Sequence, residues 1–266
     1  MPSVSDIYYF SHQEEKNIRP PVILIHGAGG NHLSWPPQIR RLPGKSIHAL
    51  DLPGHGKSTG MGRHSIAEYA EDLAAFMKAL KMRNAVLVGI SMGSGIALAL
   101  ALKYPDKVSG LVLLGAGPKL RVASKILESL GNPNLFESAV NLINENCFSA
   151  KTSQRLKDLS KRTMLEMRPP VLLGDFIACD QFDVSGRLQE IKIPTLVVCG
   201  AEDKMTPLKY SESLRDAIAG SQLEVLKDAG HMLMVEQPQA MADILVKFIN
   251  TLPPRACRRT RLRSAR

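Results

Sequence analysis

The stretch AVLVGISMGSGIALALAL, residues 85–102, carries the pattern that decides the fold. Its valine-rich beginning is typical of a buried strand, and its alanine- and leucine-rich end is typical of a helix. Between them lies Gly89-Ile90-Ser91-Met92-Gly93. A serine on a sharp strand-to-helix turn adopts a strained backbone and requires small neighbours, which glycine supplies. The stretch therefore predicts a strand, a tight turn at Ser91 and a helix whose N-terminus faces the serine.

Apolar, β-branched runs alternate with helix-period segments on both sides of this stretch, which predicts a mostly parallel, doubly wound α/β sheet. The further predicted strands are Val22–His26, Ser46–Leu50, Gly110–Leu114, Thr195–Gly200 and Gln222–Leu226, and Ile7–Ser11 is expected to add an antiparallel strand through the polar turn at Glu14–Asn17. Helices are predicted after Ser65, whose spacing to Glu68 indicates a capping box, after Pro238, and from Pro207 with Thr206 as its cap.

The segment from Pro118 to Gly186 interrupts this alternation. It predicts short helices, among them Ala123–Leu130 and Ser153–Met167, and it holds four of the seven phenylalanines. We expect a helical lid, inserted before the penultimate strand, over the carboxyl edge of the sheet, where open α/β sheets bind ligands. Extra core helices are the alternative. The predicted organisation is a core of residues 1–117 and 187–254, a lid of 118–186 and a basic tail of 255–266.

Several motifs in order resemble the α/β-hydrolase superfamily, and the resemblance extends from Tyr8 to Leu252. They are the serine turn, the loop His26-Gly27-Ala28-Gly29-Gly30 after a strand, the turn from Asp51 to Ser58, and the segments Pro194–Pro207 and Gly230–Pro238. The resemblance implies a nucleophile, an acid and a histidine in that order along the chain. It also implies a structural role for His26.

A serine hydroxyl needs a nearby base before it can attack a carbonyl. His231 follows the last predicted strand in a loop at the carboxyl edge of the sheet, which makes it the candidate base for Ser91. The base in turn needs an acid that fixes its tautomer. Asp203 matches the acid position of the family, while Glu202 and Asp228 remain alternatives.

The resemblance also implies an oxyanion hole built from two backbone N–H groups. Met92 at the start of the predicted helix supplies one of them. Ala28 in the glycine-rich loop supplies the other, and Gly29 is the alternative because that loop leaves the register open.

These features predict a carboxylic-ester hydrolase that works through an acyl-enzyme on a small-molecule ester, without a metal or organic cofactor. A serine at position 91 excludes relatives that use an aspartate nucleophile. Carbon–carbon bond hydrolases, lactonases, thioesterases and cofactor-free perhydrolases remain alternatives because they share the motifs. A non-catalytic, ligand-binding member of the fold is the alternative from another functional class.

The formal net charge of +9 raises the question of a nucleic-acid or membrane partner. Six arginines lie in the last twelve residues, and the rest of the chain carries only +3. We therefore expect a disordered tail, no nucleic-acid partner and no membrane attachment, in a monomer or homodimer. The four cysteines lack the spacing of a zinc site, and residues 1–10 lack a signal-peptide pattern, which predicts reduced thiols and a cytoplasmic location.

Overall fold

The computed structural model describes residues 3–14 and 18–254 and places an eight-stranded sheet at their centre. The order of the strands across the sheet is β1-β2-β4-β3-β5-β6-β7-β8, in which β3 to β8 run parallel and β1 and β2 run antiparallel to their neighbours. The strands are β1 Ser3–Val4, β2 Ile7–His12, β3 Val22–Ile25, β4 Ile47–Leu50, β5 Ala85–Ile90, β6 Val108–Leu114, β7 Thr195–Gly200 and β8 Gln222–Leu226.

The predicted mostly parallel, doubly wound α/β sheet is confirmed, with all predicted strands present and boundaries that differ by at most two residues. The N-terminal strand β2 is antiparallel as expected. It pairs with β4, Tyr9 opposite Leu50, and not with β3, which follows it in sequence. Most of the predicted turn, residues 15–17, lies outside the described residues, as does the predicted tail of residues 255–266.

Helices cover both faces of the sheet because successive side chains on each strand point to opposite sides. On β5, Val86 and Val88 belong to one buried cluster together with Leu245, whereas Leu87 belongs to a second cluster together with Leu73. The helices are α1 Pro37–Arg40, α2 Ile66–Ala79, α3 Met92–Lys103, α4 Ser124–Leu130, α5 Phe136–Asn146, α6 Gln154–Leu165, α7 Pro169–Asp180, α8 Leu208–Ala217, α9 Leu233–Glu236 and α10 Pro238–Thr251.

Of the two predicted N-terminal helix caps, one is present and the other is not. Ser65 caps α2, since its hydroxyl accepts a hydrogen bond from the N–H of Glu68 at 3.2 Å. The predicted cap of α8 was wrong. That helix begins at Leu208, after Pro207, and the Thr206 hydroxyl binds Asp203 instead.

Helices α4 to α7 lie between β6 and the penultimate strand β7, in the segment that we call the helical insertion (residues 118–186). They share an apolar cluster of their own, which includes Val140, Leu172 and Phe176. Residues 118–186 contain no strand, and their β-type pairing is an isolated antiparallel bridge between Lys119 and Asp183. The division into a core and a separate lid stays a prediction.

Three cysteines, Cys147, Cys179 and Cys199, are buried free thiols, and the fourth lies outside the described residues. The uncharged stretch 85–102 forms β5 and most of α3. Within residues 3–14 and 18–254, no helix has both the length and the apolar character to cross a bilayer.

Candidate active site

Ser91 occupies the turn between β5 and α3 and has backbone angles of φ 54° and ψ −118°. For a residue other than glycine, such a positive φ costs about 1–3 kcal/mol of backbone strain. The surrounding structure must therefore hold Ser91 in this conformation. Its N–H donates to the carbonyl of Leu114 on the neighbouring strand at 2.9 Å. Its carbonyl accepts from the N–H of Ser94 in the first turn of α3, also at 2.9 Å. The turn is therefore fixed by backbone bonds on both sides of Ser91.

The two glycines of the serine motif are required by close backbone approach. A Cβ on Gly89 would overlap the carbonyl of Gly93, and a Cβ on Gly93 would overlap the carbonyl of Ile25 on β3. Neither obstacle is a flexible side chain, so a larger residue would have to displace the main chain. The predicted steric reason for glycine on both flanks of Ser91 is thus present in the structure.

His231 and Asp203 form a buried pair. His231 Nδ1 lies 2.9 Å from Asp203 Oδ2, and both residues are less than a tenth exposed. Because Nδ1 must donate to the carboxylate, Nε2 of the neutral ring is left without a proton and can accept one. Neither Glu202 nor Asp228 contacts His231, since Glu202 accepts from the N–H of Ala150 and Asp228 pairs with Lys151.

The carboxylate of Asp203 is held in its ionised form by hydrogen bonds. Burial alone raises its pKa, but the charge and hydrogen bond of His231 and the bonds from Thr206 outweigh this effect, and the pKa is lowered overall. Thr206 donates its hydroxyl to Oδ2 at 2.8 Å and its N–H to Oδ1 at 2.8 Å. The N–H of Met205 donates to Oδ1 as well.

The two predicted oxyanion donors are free, whereas the alternative donor is occupied. Among the described residues, neither the N–H of Ala28 nor that of Met92 donates a hydrogen bond to another group of the protein. The N–H of Gly29 donates to Asp175 Oδ2 at 2.9 Å and is therefore not free to bind an oxyanion. The loop and the serine turn are close, because a Cβ on Gly27 would lie 3.3 Å from Ser91 Cβ.

A cavity of about 690 Å³ brings these groups together. Ser91, His231 and Ala28 line it, and Asp203 lies behind His231. Within the described part of the chain, the Ser91 hydroxyl makes no hydrogen bond to His231 or to any other group. Catalytic hydrogen bonds are often long in ligand-free enzymes and shorten when substrate binds.

The other histidines of the glycine-rich region serve the structure. His26 donates from Nδ1 to the carbonyl of Gly27 at 2.8 Å and accepts at Nε2 from the N–H of Leu52 at 3.0 Å. Burial, with a smaller effect from the positive charge of His55, lowers the pKa of His26 to about 4, so its ring stays neutral. His32 is bound to Asp51, and His55 to Asp175.

Three residues that shape the site were not predicted in the roles that they have in the structure. Thr206 holds Asp203, and Asp175 binds the loop that carries Ala28. Gly115 has a φ of 47°, and a Cβ there would lie 2.9 Å from His231 Nδ1. Gly115 follows a predicted strand, and this placement is the one signal in the sequence that could have identified it. Asp175 sits in a helical stretch with no motif around it.

No metal centre is visible in this region. Within residues 3–14 and 18–254, no group of three or more histidine, cysteine, aspartate or glutamate side chains is arranged to hold a metal ion.

Comparison with known proteins gives relatives along almost the whole chain. The chain is 26% identical to a putative 2-succinyl-6-hydroxy-2,4-cyclohexadiene-1-carboxylate synthase of Bacillus subtilis, over 94% of this chain and 98% of that protein. It is 27% identical to a pimeloyl-[acyl-carrier protein] methyl ester esterase of Neisseria meningitidis, over 89% of this chain and 97% of that protein. A solved structure of a thermophilic esterase superposes with a TM-score of 0.79 at 32% identity, covering 92% of this chain and 98% of that one.

The family model for the alpha/beta hydrolase fold matches residues 20–238, a range that includes the serine turn, the glycine-rich loop, Asp203 and His231. The match spans well over half of the chain and agrees with the topology of the sheet and the position of the serine turn. The protein therefore belongs to the alpha/beta hydrolase fold family.

Proposed function

We propose that the protein hydrolyses carboxylic esters through an acyl-enzyme intermediate, with Ser91 as nucleophile, His231 as general base and Asp203 as the acid that orients it. The observation that carries this proposal is the placement of Ser91. It is held at a strained φ on the wall of the cavity that His231 also lines, and His231 is bonded to a buried carboxylate. The names of an esterase relative and of an esterase structure support the same activity.

In the proposed cycle, His231 Nε2 removes the proton from Ser91 while Oγ attacks the ester carbonyl carbon. The carbonyl oxygen becomes an oxyanion, which accepts hydrogen bonds from the N–H groups of Ala28 and Met92. Each such donor contributes about 3 kcal/mol to the stability of the transition state. The intermediate then collapses, and the alcohol leaves with the proton from His231. A water molecule, deprotonated by His231, releases the acid and restores Ser91.

Asp203 supports both halves of this cycle without exchanging a proton. It fixes the Nδ1–H tautomer of His231, and its negative charge stabilises the imidazolium that forms during each attack. The lowered pKa of Asp203 keeps the carboxylate ionised across the range in which a histidine base works.

The helical insertion is proposed to act as a lid that selects the acyl group. Ile126, Ile143, Met164 and Phe176 belong to it and line the cavity that Ser91 reaches. A cavity of about 690 Å³ lies within the size range of small-molecule sites. Its largely apolar lining fits a hydrophobic acyl group of modest size better than a charged one.

Reaction with a fluorophosphonate tests the nucleophile. Such a reagent phosphonylates a serine only where a base and an oxyanion hole activate it, so we expect an adduct on the peptide that contains Ser91 and none in Ser91→Ala. Absence of the adduct in folded wild-type protein would falsify the proposed function and would favour a ligand-binding member of the fold.

A substrate panel tests the bond that is cleaved. Family membership alone does not choose the reaction, because the relatives' names include a synthase as well as an esterase. Nitrophenyl esters of rising acyl length should be hydrolysed with an optimum at intermediate length, set by the cavity. A lactone, a peracid-forming assay and a ring-cleavage diketone run beside them distinguish the alternatives. A kcat/KM for one of these that exceeds every ester would overturn the assignment to carboxylic esters.

A further inference from the structure

A single carboxylate from the helical insertion binds three separate segments of the core. Asp175, on α7, is fully buried. Its Oδ2 accepts a hydrogen bond from the N–H of Gly29 at 2.9 Å and another from His55 Nε2 at 2.7 Å. Its Oδ1 accepts from the hydroxyl of Tyr69 at 2.6 Å. Asp175 therefore fastens α7 to the glycine-rich loop, to the turn that carries His55 and to α2.

The partners of His55 indicate that this contact is an ion pair. Nδ1 of His55 lies 3.0 Å from the carbonyl oxygen of Pro53, and Nε2 faces Asp175. Both oxygens only accept hydrogen bonds when Asp175 is ionised, so both ring nitrogens must carry protons. Burial lowers the pKa of His55, but the charge and hydrogen bond of Asp175, the Pro53 carbonyl and the charge of Asp51 outweigh it, and the pKa is raised.

The bond to Gly29 restricts the loop that carries the proposed oxyanion donor. Gly29 has a φ of +65°, and its N–H points to Asp175, so the peptide between Ala28 and Gly29 is fixed. On the other side of Ala28, the carbonyl of Gly27 accepts from the N–H of Gly30 at 3.1 Å. A Cβ on Gly29 would lie 2.7 Å from the Leu172 side chain, also on α7. Ala28 is thus held between a backbone turn and the insertion.

We propose that Asp175 is a positioning residue of the oxyanion hole, so that docking of α7 and orientation of the Ala28 N–H are one event. This inference rests on the proposed function. Asp175 acts through Gly29 and touches no reacting atom. A movement of the insertion that lifted α7 would release Gly29 and misdirect the donor, so the site is catalytically complete only with α7 in place.

Asp175→Asn tests this role, because it keeps the shape of the side chain but removes the charge that holds His55 and Gly29. Asp180→Asn is the matched control. Asp180 lies on the same helix and accepts an N–H bond from Val122, which is within the insertion. The readouts are kcat and KM for a nitrophenyl ester, the melting temperature, and the inhibition constant of a trifluoromethyl ketone, which forms a tetrahedral oxyanion adduct on an active serine.

We expect Asp175→Asn to lower kcat about 10- to 100-fold, as partial loss of one oxyanion donor does, with KM changed less than threefold. The affinity for the ketone should fall by the same factor as kcat/KM, because both depend on the oxyanion hole. Asp180→Asn should stay within twofold of wild type in all three constants. A folded Asp175→Asn with unchanged kcat and ketone affinity overturns the proposal.

If Asp175→Asn does not fold, the variant Tyr69→Phe tests the same proposal. It removes the hydroxyl that donates to Asp175 Oδ1 and accepts the N–H of Arg63, so the carboxylate keeps its charge but loses one of the contacts that aim its Oδ2 at Gly29. A fall of threefold or more in kcat, matched by the ketone affinity, supports positioning. A lowered melting temperature with unchanged kcat assigns Asp175 a purely structural role and overturns the proposal. Wild-type protein that hydrolyses no ester overturns the proposed function itself, a separate outcome.

Discussion

Ser91 and Ala28 line the same cavity, yet the chain holds them in place by different means. The serine turn is held by packing of backbone against backbone, and the contacts at Gly89 and Gly93 leave no room for a side chain. The glycine-rich loop is held by the carboxylate of Asp175, 146 residues further along the chain. The serine turn, which we call the packed half of the site, depends on the core alone. The glycine-rich loop, the other half, depends on the helical insertion.

The loop of His231 resembles the glycine-rich loop in this respect. Glu236 accepts the N–H of Gly230 at 2.7 Å and also the N–H of Ser149 in the insertion at 2.8 Å. The N–H of Met232 donates to the carbonyl of Cys147 at 3.0 Å, which is a second bond between the same two segments. The groups on both sides of Ser91 are therefore tied to the insertion, while Ser91 itself is not.

The largest expected effect on kcat comes from substituting the three proposed catalytic residues, while the packing around the serine turn and the bonds to the helical insertion are kept. Ser91→Ala, His231→Ala and Asp203→Asn should each lower kcat by about 10⁴-fold or more. All three variants should stay folded, because none of the changes adds volume. Ser91→Ala should keep the melting temperature of wild type, whereas His231→Ala and Asp203→Asn disturb the buried pair of His231 and Asp203 and should melt at a lower temperature. Steady-state kinetics and thermal unfolding of the three variants check this.

The Asp203 variant is the most informative of the three. Asp203→Asn places an amide where Nδ1 of His231 donates, and the wrong tautomer then becomes favourable. Activity that survives in Asp203→Asn but is lost in Glu202→Gln would move the acid role to Glu202, against the observed contact of Asp203 with His231.

Gly93→Ala tests the packed half of the site. The added methyl would overlap the carbonyl of Ile25, so β3 and α3 must separate, at a cost of about 1–3 kcal/mol or more in the free energy of unfolding. Activity should fall together with stability, because the same displacement moves Ser91. Urea unfolding and the rate of fluorophosphonate labelling measure the two effects.

Gly186→Ala is the control for that variant, since nothing lies within 4 Å of a Cβ at this position in the insertion. We expect it to leave both quantities within error of wild type. A stable and active Gly93→Ala would show that the close approach is not what holds the turn.

These two kinds of support differ in what the sequence can predict. Packing at Gly89 and Gly93 leaves a local sign, because glycine must stand two residues from the serine on either side. The strands and the mostly parallel sheet were accessible for the same reason, since apolar runs and turns are local patterns. The pairing of β2 with β4 was not predicted. Asp175 acts across 146 residues of sequence, and Glu236 reaches Ser149 across 87. Thr206 is only three residues from Asp203, but no pattern around it distinguishes it from any other threonine before the chain folds.

The ion pair of His55 and Asp175 predicts a pH dependence of stability. The pKa of His55 is raised in the folded protein, so its contribution is fully present below the unfolded value of about 6.5 and is lost as the pH rises through the folded pKa. The groups that face His55 are Asp175, Asp51, the neutral His26 and Tyr69. The free energy of unfolding of wild type minus that of His55→Gln should thus be constant between pH 5.5 and 6.5 and decline above it.

Urea unfolding of both proteins from pH 5.5 to 9 measures that difference. The packed half of the site contains no titratable group of this kind, so Gly93→Ala should differ from wild type by the same amount at every pH in the series. A difference for His55→Gln that grows with pH would mean that His55 is neutral in the folded protein, and the contact with Asp175 would then be an ordinary hydrogen bond.

The smallest effect is expected at Thr206, a support of Asp203 that belongs to the core. Thr206→Val removes the hydroxyl bond to Oδ2 but keeps the N–H bond to Oδ1 and the shape of the side chain. Loss of one such bond costs about 1 kcal/mol, so kcat should fall about three- to tenfold. Thr206→Ser retains the hydroxyl and should recover most of the loss.

Comparison of Thr206→Val with Asp175→Asn also tests whether the supports of His231 and of Ala28 act separately. The Thr206 hydroxyl binds Asp203 and not the helical insertion. Thr206→Val should therefore lower kcat, but it should reduce the affinity for the trifluoromethyl ketone less than Asp175→Asn does. The Thr206 hydroxyl affects catalysis through Asp203 and His231. Asp175 affects it through Gly29 and the neighbouring Ala28 N–H, which is proposed to bind the oxyanion. If the two variants reduced ketone affinity equally, the hydrogen bonds around His231 and those around Ala28 would have to be treated as one network, and the separation of the site into independently held halves would fail.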